Sequence, residues 1–544
     1  MYLTQQKTDM PYPLVHLIWL DSIGVGGIYD GKMNVFVRTS IEDFKSLKSI
    51  KTNPLLIDKD PVLKDVLEKY QKYGIFSSSE KESRVENSDE FIKNLISYAT
   101  NRANPRKLTL ELTEECNLRC KYCRYTINEK HNSGRFHNNS KISIEIAKKA
   151  IIDYLVSYSK IKGQLNSEEA FAFEKKNPPT ISFYGGEVMI EKKALKYLID
   201  FSTRKASELS LKLRHVVTTN GTLLDEDIID FLVDCDVMLA ISFDGPQSEN
   251  DKNRVYRNGK GSYEKITKSL SIIKKKYPSY ALNNVTIQAV DSPNYDKNKV
   301  LSYFREESTK GHFAGVNTFI MLPYTDFENK NKHENFSKEG FQNLADHIFL
   351  DTISFFDTIP TDMSSELIID SIQQHPSFKD MIKLAFEMQT KIGEYPKLLG
   401  TYFNTCYIGK VNLVVTPNGN YHLCERTDYS MPIGNVENGI NNNKIAKIYQ
   451  DYFTIMNGHK CKNCWAGLFC PICVAQLIEN GKIINPEDSR CQQIRITSEL
   501  YLKLSLMLSH KYQHIYEALN NYFHKADDTT LDEFLTNFYK KKTS

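Results

Sequence analysis

No apolar run in the 544-residue chain approaches the roughly 18 residues that a bilayer-crossing helix needs. The first residues lack a basic stretch followed by a long apolar one. The best candidate, Pro13 to Leu20, is short and runs straight into Asp21, so no secretory signal is expected. Net charge is also scarce. The 70 Lys+Arg against 67 Asp+Glu leave +3, which gives no support to a nucleic-acid or anionic-membrane scaffold. No internal repeat is visible. The expectation is a cytoplasmic protein with no nucleic-acid partner and no membrane partner. At about 100–200 residues per domain the length suggests three or four domains.

What the chain does have is cysteine, 11 in all. In a reducing compartment clustered thiols point to metal binding or catalysis rather than to disulfides. Cys116, Cys120 and Cys123 form one group; Cys406, Cys424, Cys461, Cys464, Cys470, Cys473 and Cys491 form another. Cys235 stands alone before an apolar run and reads as a core residue.

Residues 1–80 read as a small unit. Strands are expected at Leu14–Leu20 and Met33–Arg38, separated by the glycine-rich stretch Gly24–Gly27, with helices at Ile41–Leu47 and Val62–Tyr70. Residues 81–104 read as a linker and a helix. From Lys107 strands and helices alternate. Strands are expected at Leu108–Leu112, Thr180–Phe183, Lys212–Val217, Val237–Ser242, Asn284–Ala289 and Gly315–Met321. Six strand–helix units imply an α/β fold with a parallel sheet, open or curled into a partial barrel, with its chemistry at the carboxyl ends of the strands. Lys160–Asn177 reads as a polar insertion. Residues 326–400 read as helical, 401–495 as irregular and shaped by metal, and 496–544 as a helical tail.

The run Cys116-x3-Cys120-x2-Cys123 follows the first strand of the sheet. Three thiolates on one tight loop suit three corners of a [4Fe–4S] cube, leaving one iron open. Zinc would want a fourth nearby Cys or His, and none lies close; a zinc loop or chance spacing is the alternative reading. With Tyr122 before the last Cys, the motif resembles that of the radical S-adenosylmethionine superfamily, and the likeness extends over residues 105–325 as a partial (β/α)6 barrel. The resemblance implies a bound S-adenosylmethionine, reductively cleaved to give a hydrogen-abstracting radical.

Further residues follow from that likeness. Gly185, Gly186 and Glu187 resemble the motif that grips the methionine amino group, although Gly-Gly-Glu is also a simple turn. Asn220 lies in the next loop of the family, where Asn-Gly is likewise a common turn. Ser242 and Arg254 match the family's carboxylate-holding positions, and Asp244, in the same loop, is expected among the cofactor-binding residues; Arg254 and Arg257 read alternatively as exposed loop charges.

The second group closely resembles the SPASM extension of radical enzymes that modify peptides, with one departure: two residues, not three, separate Cys470 from Cys473. By that likeness Cys461, Cys464, Cys470 and Cys491 hold an outer auxiliary [4Fe–4S] cluster. Cys406, Cys424 and Cys473 hold an inner one, for three clusters in all. A pair of zinc sites is the alternative. Glu425 is the candidate acid/base, or else a surface charge. His422 reads as a strand or turn residue, and Trp465 and Phe469 as walls between clusters and water. The N-terminal unit resembles a winged-helix leader-recognition domain, with a spacer as its alternative. The expected activity is crosslinking of a precursor peptide that carries a leader, with flavodoxin or ferredoxin as electron donor. A sulfatase-type formylglycine maturase, a peptide epimerase and a non-catalytic metal-stabilised binding module are the rivals.

Overall fold

The computed structural model describes residues 14–31, 35–73, 75–76, 107–123, 125–126, 135–292, 294–296, 318–323, 338–373 and 412–525, with scattered residues in 89–93, 299–306 and 382–386 and at 408. The expected linker and helix at 81–104 lie almost wholly outside the described residues, as do Cys406 and the end of the tail.

The N-terminal unit is a three-stranded antiparallel sheet, β1 (Val15–Leu20), β2 (Val25–Asp30) and β3 (Val35–Thr39), followed by helices α1 (Ile41–Thr52) and α2 (Pro61–Gln71). Ser40 caps α1 through the Asp43 N–H and Asp60 caps α2 through that of Val62. The unit has its own core, with Val15, Ile28, Leu47, Ile50, Leu67 and Tyr70 buried together. The glycine-rich stretch expected as a connection is instead the central strand. Rings from the flanking strands lie over its glycines: a Cβ on Gly26 would come within 2.9 Å of the Trp19 ring, and one on Gly27 within 2.5 Å of the Phe36 ring.

The main sheet has ten strands. Its parallel part is β4 (Lys107–Thr113), β5 (Thr180–Gly185), β6 (Arg214–Thr219), β7 (Met238–Ser242), β8 (Val285–Asp291) and β9 (Thr318–Pro323), each paired with the next in sequence order. Alternation along the strands sorts the side chains. Leu108, Leu110, Ile181, Phe183, Val217, Leu239 and Ile287 join the main apolar core. Their neighbours Thr109, Ser182, Tyr184, Thr218, Ser242 and Gln288 line an inner cavity.

Helices α3 (Ile144–Lys162), α4 (Ser167–Lys176), α5 (Lys192–Glu208), α6 (Glu226–Asp234), α7 (Gln247–Asn253), α8 (Tyr263–Lys276) and α9 (Pro278–Asn284) occupy the connections. Part of the expected polar insertion is therefore helix: Asn166 and Glu169 form a reciprocal capping box at the start of α4. Cys235 closes α6, partly buried against the main core. Helices α10 (Lys338–Asp357) and α11 (Ser365–Gln373) fill the described part of the helical region.

The cysteine-rich region is more regular than expected and shares the main sheet. Strand β10 (Asn412–Val415) pairs parallel with β4, matching Asn412 to Lys107, and β11 (Asn420–His422), β12 (Gly434–Asn435) and β13 (Gly439–Ile440) extend it antiparallel. Helix α12 (Asn442–Met456) follows. A small hairpin, β14 (Ile478–Glu479) and β15 (Lys482–Ile483), precedes the long α13 (Asp488–His510) and α14 (Gln513–Lys525). Cys491 lies in the first turn of α13, so this helix begins inside the cysteine region. Among the described residues no helix is long and apolar enough to cross a membrane.

The N-terminal unit packs on this region. His16 stacks on Trp465 at 3.7 Å between centroids and 6° between planes, and Tyr29 lies 4.9 Å from Phe469. The His16 Nε2 meets Glu499 of α13 at 3.2 Å. Trp465 and Phe469, expected as cluster walls, thus form the seat of the N-terminal sheet. Their rings face strand residues whose burial they complete.

Candidate functional site

The cysteine loop leaves β4 at Thr113 and crosses the end of β5. Gly186 N–H donates to Thr113 O and Glu187 N–H to Glu115 O, both at 2.8 Å. A Cβ on Gly185 would stand 2.3 Å from Thr113 O and one on Gly186 2.2 Å from Glu115 O; Gly185 also has φ +147. The two glycines are needed for this crossing of backbones. The loop is tied on its other side to the segment carrying Arg254, through Arg119 N–H to Val255 O at 2.7 Å and Lys121 N–H to Asn253 O at 3.0 Å.

One cavity of about 430 Å³ is lined by Cys116, Cys120, Tyr122, Cys123, Gly185, Gly186, Asn220, Ser242 and Arg254, and also by Tyr125, Arg135, Tyr184, Glu425, Arg426 and Gln476. Tertiary structure therefore brings most of the residues singled out in sequence to one place. Burial pushes the Cys120 thiol up to about 12 against the pull of Arg254, and Cys116 and Cys123 rise from the same cause. Such thiols form thiolates when a bound metal supplies the compensating charge.

Glu187 and Asp244 are not among the residues that line the cavity. Glu187 is 1% exposed. Its Oε1 accepts from Met189 N–H at 2.9 Å and from the Thr219 hydroxyl at 2.6 Å, and its Oε2 from Asn220 N–H at 2.7 Å. The Thr219 and Asn220 bonds tie the turn after β5 to the end of β6, and the Met189 bond is local to that turn. Asp244 is fully buried beside Arg254, with Oδ2 at 2.9 Å from its Nε. Arg254 is buried whereas Arg257 is exposed.

Asn220 donates to Asn117 Oδ1 at 2.9 Å and lies 3.8 Å from Cys116 Sγ, while its Oδ1 accepts from the Thr222 hydroxyl at 2.7 Å. Asn117 and Thr222 were not singled out in sequence; their nearness to Cys116 and Asn220 was the only hint. Tyr125, Arg135 and Tyr429 were likewise missed, because no motif marks them, and Tyr184 because only its neighbours Gly185 to Glu187 were singled out. They form a second buried group. Arg135 meets Glu111 at 3.1 Å, donates to Glu425 O at 2.6 Å, and lies over the Tyr125 and Tyr429 rings at 4.3 and 3.9 Å.

Glu425 is largely covered, with Lys107 Nζ 3.8 Å from Oε1, Asn412 donating to Oε2, and the Cys424 thiol 3.6 Å from Oε2. Burial raises its proton affinity, but Lys107 and its other partners outweigh burial and hold the carboxyl below its ordinary value. His422 is buried on β11 and stacked on Tyr429 at 4.4 Å. Burial first, and then Arg135, lower it to about 3, so it is neutral.

Cys461, Cys464, Cys470 and Cys491 line one small pocket with Met456, Lys460, Ile472, Pro486, Ile494 and Arg495. Cys473 lies close enough to Cys424 to raise its proton affinity. Among the described residues no three His, Cys, Asp or Glu groups converge as a single metal ion would require.

The residues of the main cavity fit a cluster with S-adenosylmethionine. Three thiols share one cavity, and Arg254 in its wall has a buried Nε that touches Asp244 without an aligned hydrogen bond. An anion is what such a side chain can still take.

Residues 110–296 match the family model of the radical SAM superfamily. The chain thus carries a radical SAM domain and is related to peptide-modifying and sulfatase-maturing members of that superfamily. It is 24% identical over 305 residues to the radical SAM cyclopropyl synthase TigE of Paramaledivibacter caminithermalis, covering 55% of this chain and 58% of that one. It is 26% identical over 195 residues to a cysteine-type anaerobic sulfatase-maturating enzyme of Clostridium perfringens, covering 36% and 47%. The chain spans about half the length of these relatives. A solved structure, native anSMEcpe with bound AdoMet, aligns with a TM-score of 0.49 at 17% identity over 76% of this chain and 99% of that one.

Proposed function

We propose that this chain is a radical S-adenosylmethionine enzyme that forms an intrapeptide thioether or carbon–carbon crosslink in a ribosomally made precursor peptide. Its cofactors are S-adenosylmethionine and three [4Fe–4S] clusters, and a flavodoxin or ferredoxin delivers the electrons. The observation that carries this reading is the single cavity lined both by Cys116, Cys120 and Cys123 and by Glu425, the neighbour of Cys424. The chain's sulfatase-maturating relative supports a macromolecular substrate. Among the described residues β3 is an edge strand, and such an edge supports a leader-binding role for residues 1–80.

When bound, S-adenosylmethionine and its cluster supply one-electron reductive cleavage and a hydrogen-abstracting radical. The chain does the rest. Cys116, Cys120 and Cys123 hold three irons. Asn220 steadies Cys116 through its amide. Arg254, with Ser242 also in the cavity wall, takes the ligand carboxylate. Glu425 is anionic at neutral pH and accepts at Oε1 the proton the substrate releases, while Asn412 fixes Oε2. Cys461, Cys464, Cys470 and Cys491 hold the outer auxiliary cluster; Cys406, Cys424 and Cys473 hold the inner one.

The test is the intact mass of a small precursor encoded beside this chain, after anaerobic co-expression with it. Loss of one hydrogen pair per event, mapped to a Cys or an aromatic residue, is the expected result. An unchanged mass with no deuterium uptake on any nearby peptide overturns the reading. The second reading, oxidation of a sulfatase Cys or Ser to formylglycine, is favoured by the sulfatase-maturating relatives. It predicts an aldehyde on a sulfatase peptide instead.

A further inference from the structure

Arg254 is held by Asp244, which does not itself line the cavity. Asp244 follows β7 and is fully buried. Its Oδ1 accepts from Val290 N–H at 3.0 Å, and its own N–H donates to Asn250 Oδ1 at 3.2 Å. Both ends of the residue are therefore fixed, one by β8 and the other by α7. Its Oδ2 receives the hydroxyls of Tyr122 and Tyr295, each at 2.5 Å, and lies 2.9 Å from Arg254 Nε. Tyr295 comes from the loop after β8. Arg254 and Tyr122 line the cavity, whereas Asp244 and Tyr295 do not.

We propose that Asp244, anchored by the Tyr295 hydroxyl, is a positioning residue that presents Arg254 to the carboxylate of S-adenosylmethionine. The argument is geometric. A guanidinium has a rigid fork, so fixing Nε fixes the direction in which the two Nη groups point. The Nε contact is close but not aligned as a hydrogen bond, so Asp244 holds the charge without claiming the whole fork. The Tyr122 hydroxyl, on the cysteine loop, meets the same oxygen. One carboxylate oxygen thus sets the anion-binding group relative to the cysteine loop. The inference rests on the radical S-adenosylmethionine reading above.

A mere counter-charge would explain the burial of Asp244 equally well, and Tyr295→Phe separates the two roles. It keeps the charge and removes one anchor. Anaerobically reconstituted wild type, Y295F, D244N and D244E are compared for iron content, for S-adenosylmethionine affinity by calorimetry, and for the electron paramagnetic resonance of the reduced protein with and without S-adenosylmethionine. Positioning predicts that Y295F weakens binding by roughly 3- to 10-fold and D244N by about 10-fold or more, and that D244E recovers only part of the loss. Iron content and the ligand-free spectrum stay as in wild type, and the spectral response to S-adenosylmethionine returns at saturating ligand. Wild-type affinity in Y295F overturns the proposal, and so does loss of iron in step with loss of binding. Should Y295F not fold, D244E carries the same comparison, and wild-type affinity there overturns the proposal too. An iron-loaded wild type that binds no S-adenosylmethionine overturns the underlying reading and this inference with it.

Discussion

Arg135 Nη2 lies 3.1 Å from Glu111 Oε1, with both side chains buried: 3% and 0% exposed. Glu111 belongs to β4, at the centre of the sheet. Arg135 belongs to the loop beyond the cysteines and also donates to the backbone of Glu425. The pair therefore joins β4 to the cysteine-rich region at the cavity wall. Removing Arg135 leaves a buried carboxylate uncompensated, and Arg135→Ala is expected to lower stability by about 3–5 kcal/mol. Urea titration of the two proteins checks this.

Glu111 also makes stability depend on pH. Burial pushes its carboxyl up to about 7 from an ordinary 4.5, against the opposing pull of Arg135. The folded chain then binds this proton more tightly than the unfolded chain does. The contribution to stability is complete below about pH 4.5 and is lost as pH rises towards 7. Glu111→Gln should flatten that part of the profile, which spans about 3 kcal/mol at most. A slope unchanged in the variant would assign the dependence elsewhere.

Gly186→Ala should damage iron binding without touching a ligand. The new Cβ would sit 2.2 Å from Glu115 O, so the backbone leading to Cys116 must move. A loss of ~2 kcal/mol or more in stability is expected, with fewer irons retained after desalting. Iron and sulfide analysis against wild type measures the effect.

The auxiliary thiols can be counted. Three [4Fe–4S] clusters predict about 12 irons per chain. Replacing Cys461 and Cys464 together by Ala should remove about 4 of them and leave reductive cleavage of S-adenosylmethionine measurable. Replacing Cys116, Cys120 and Cys123 by Ala should abolish that cleavage while leaving the circular dichroism of the fold. Zinc in place of iron at the second group would overturn the three-cluster assignment.

Trp465→Ala should loosen the N-terminal sheet. The His16 ring stacks on Trp465, and the Tyr29 ring meets it edge-on at 6.4 Å between centroids. Loss of a largely buried Trp costs about 3–5 kcal/mol. Amide exchange in β1 and β2 is expected to speed up while that in β4 to β7 stays slow. Equal change in both sheets would contradict a local seat.

The sequence by itself determined the parallel strands. In β4 and β5 apolar residues alternate with Thr, Ser and Glu, and that period allows one apolar face and one polar face. It also determined the thiol loop, because Cys116, Cys120 and Cys123 are close along the chain and local spacing suffices to gather them. Only the tertiary structure decided the rest. Gly26 and Gly27 read as a loop, yet form a central strand because rings from both neighbours cover them. Glu187 stands in a local Gly-Gly-Glu run, and only the fold shows its carboxylate accepting from Thr219 and Asn220 at the end of β6. Glu111, Arg135 and Tyr429 carry no motif, and they meet only when β10 and β11 extend the edge of β4. Side chains hundreds of positions apart become partners through strand pairing and burial, and neither leaves a local periodicity to be read.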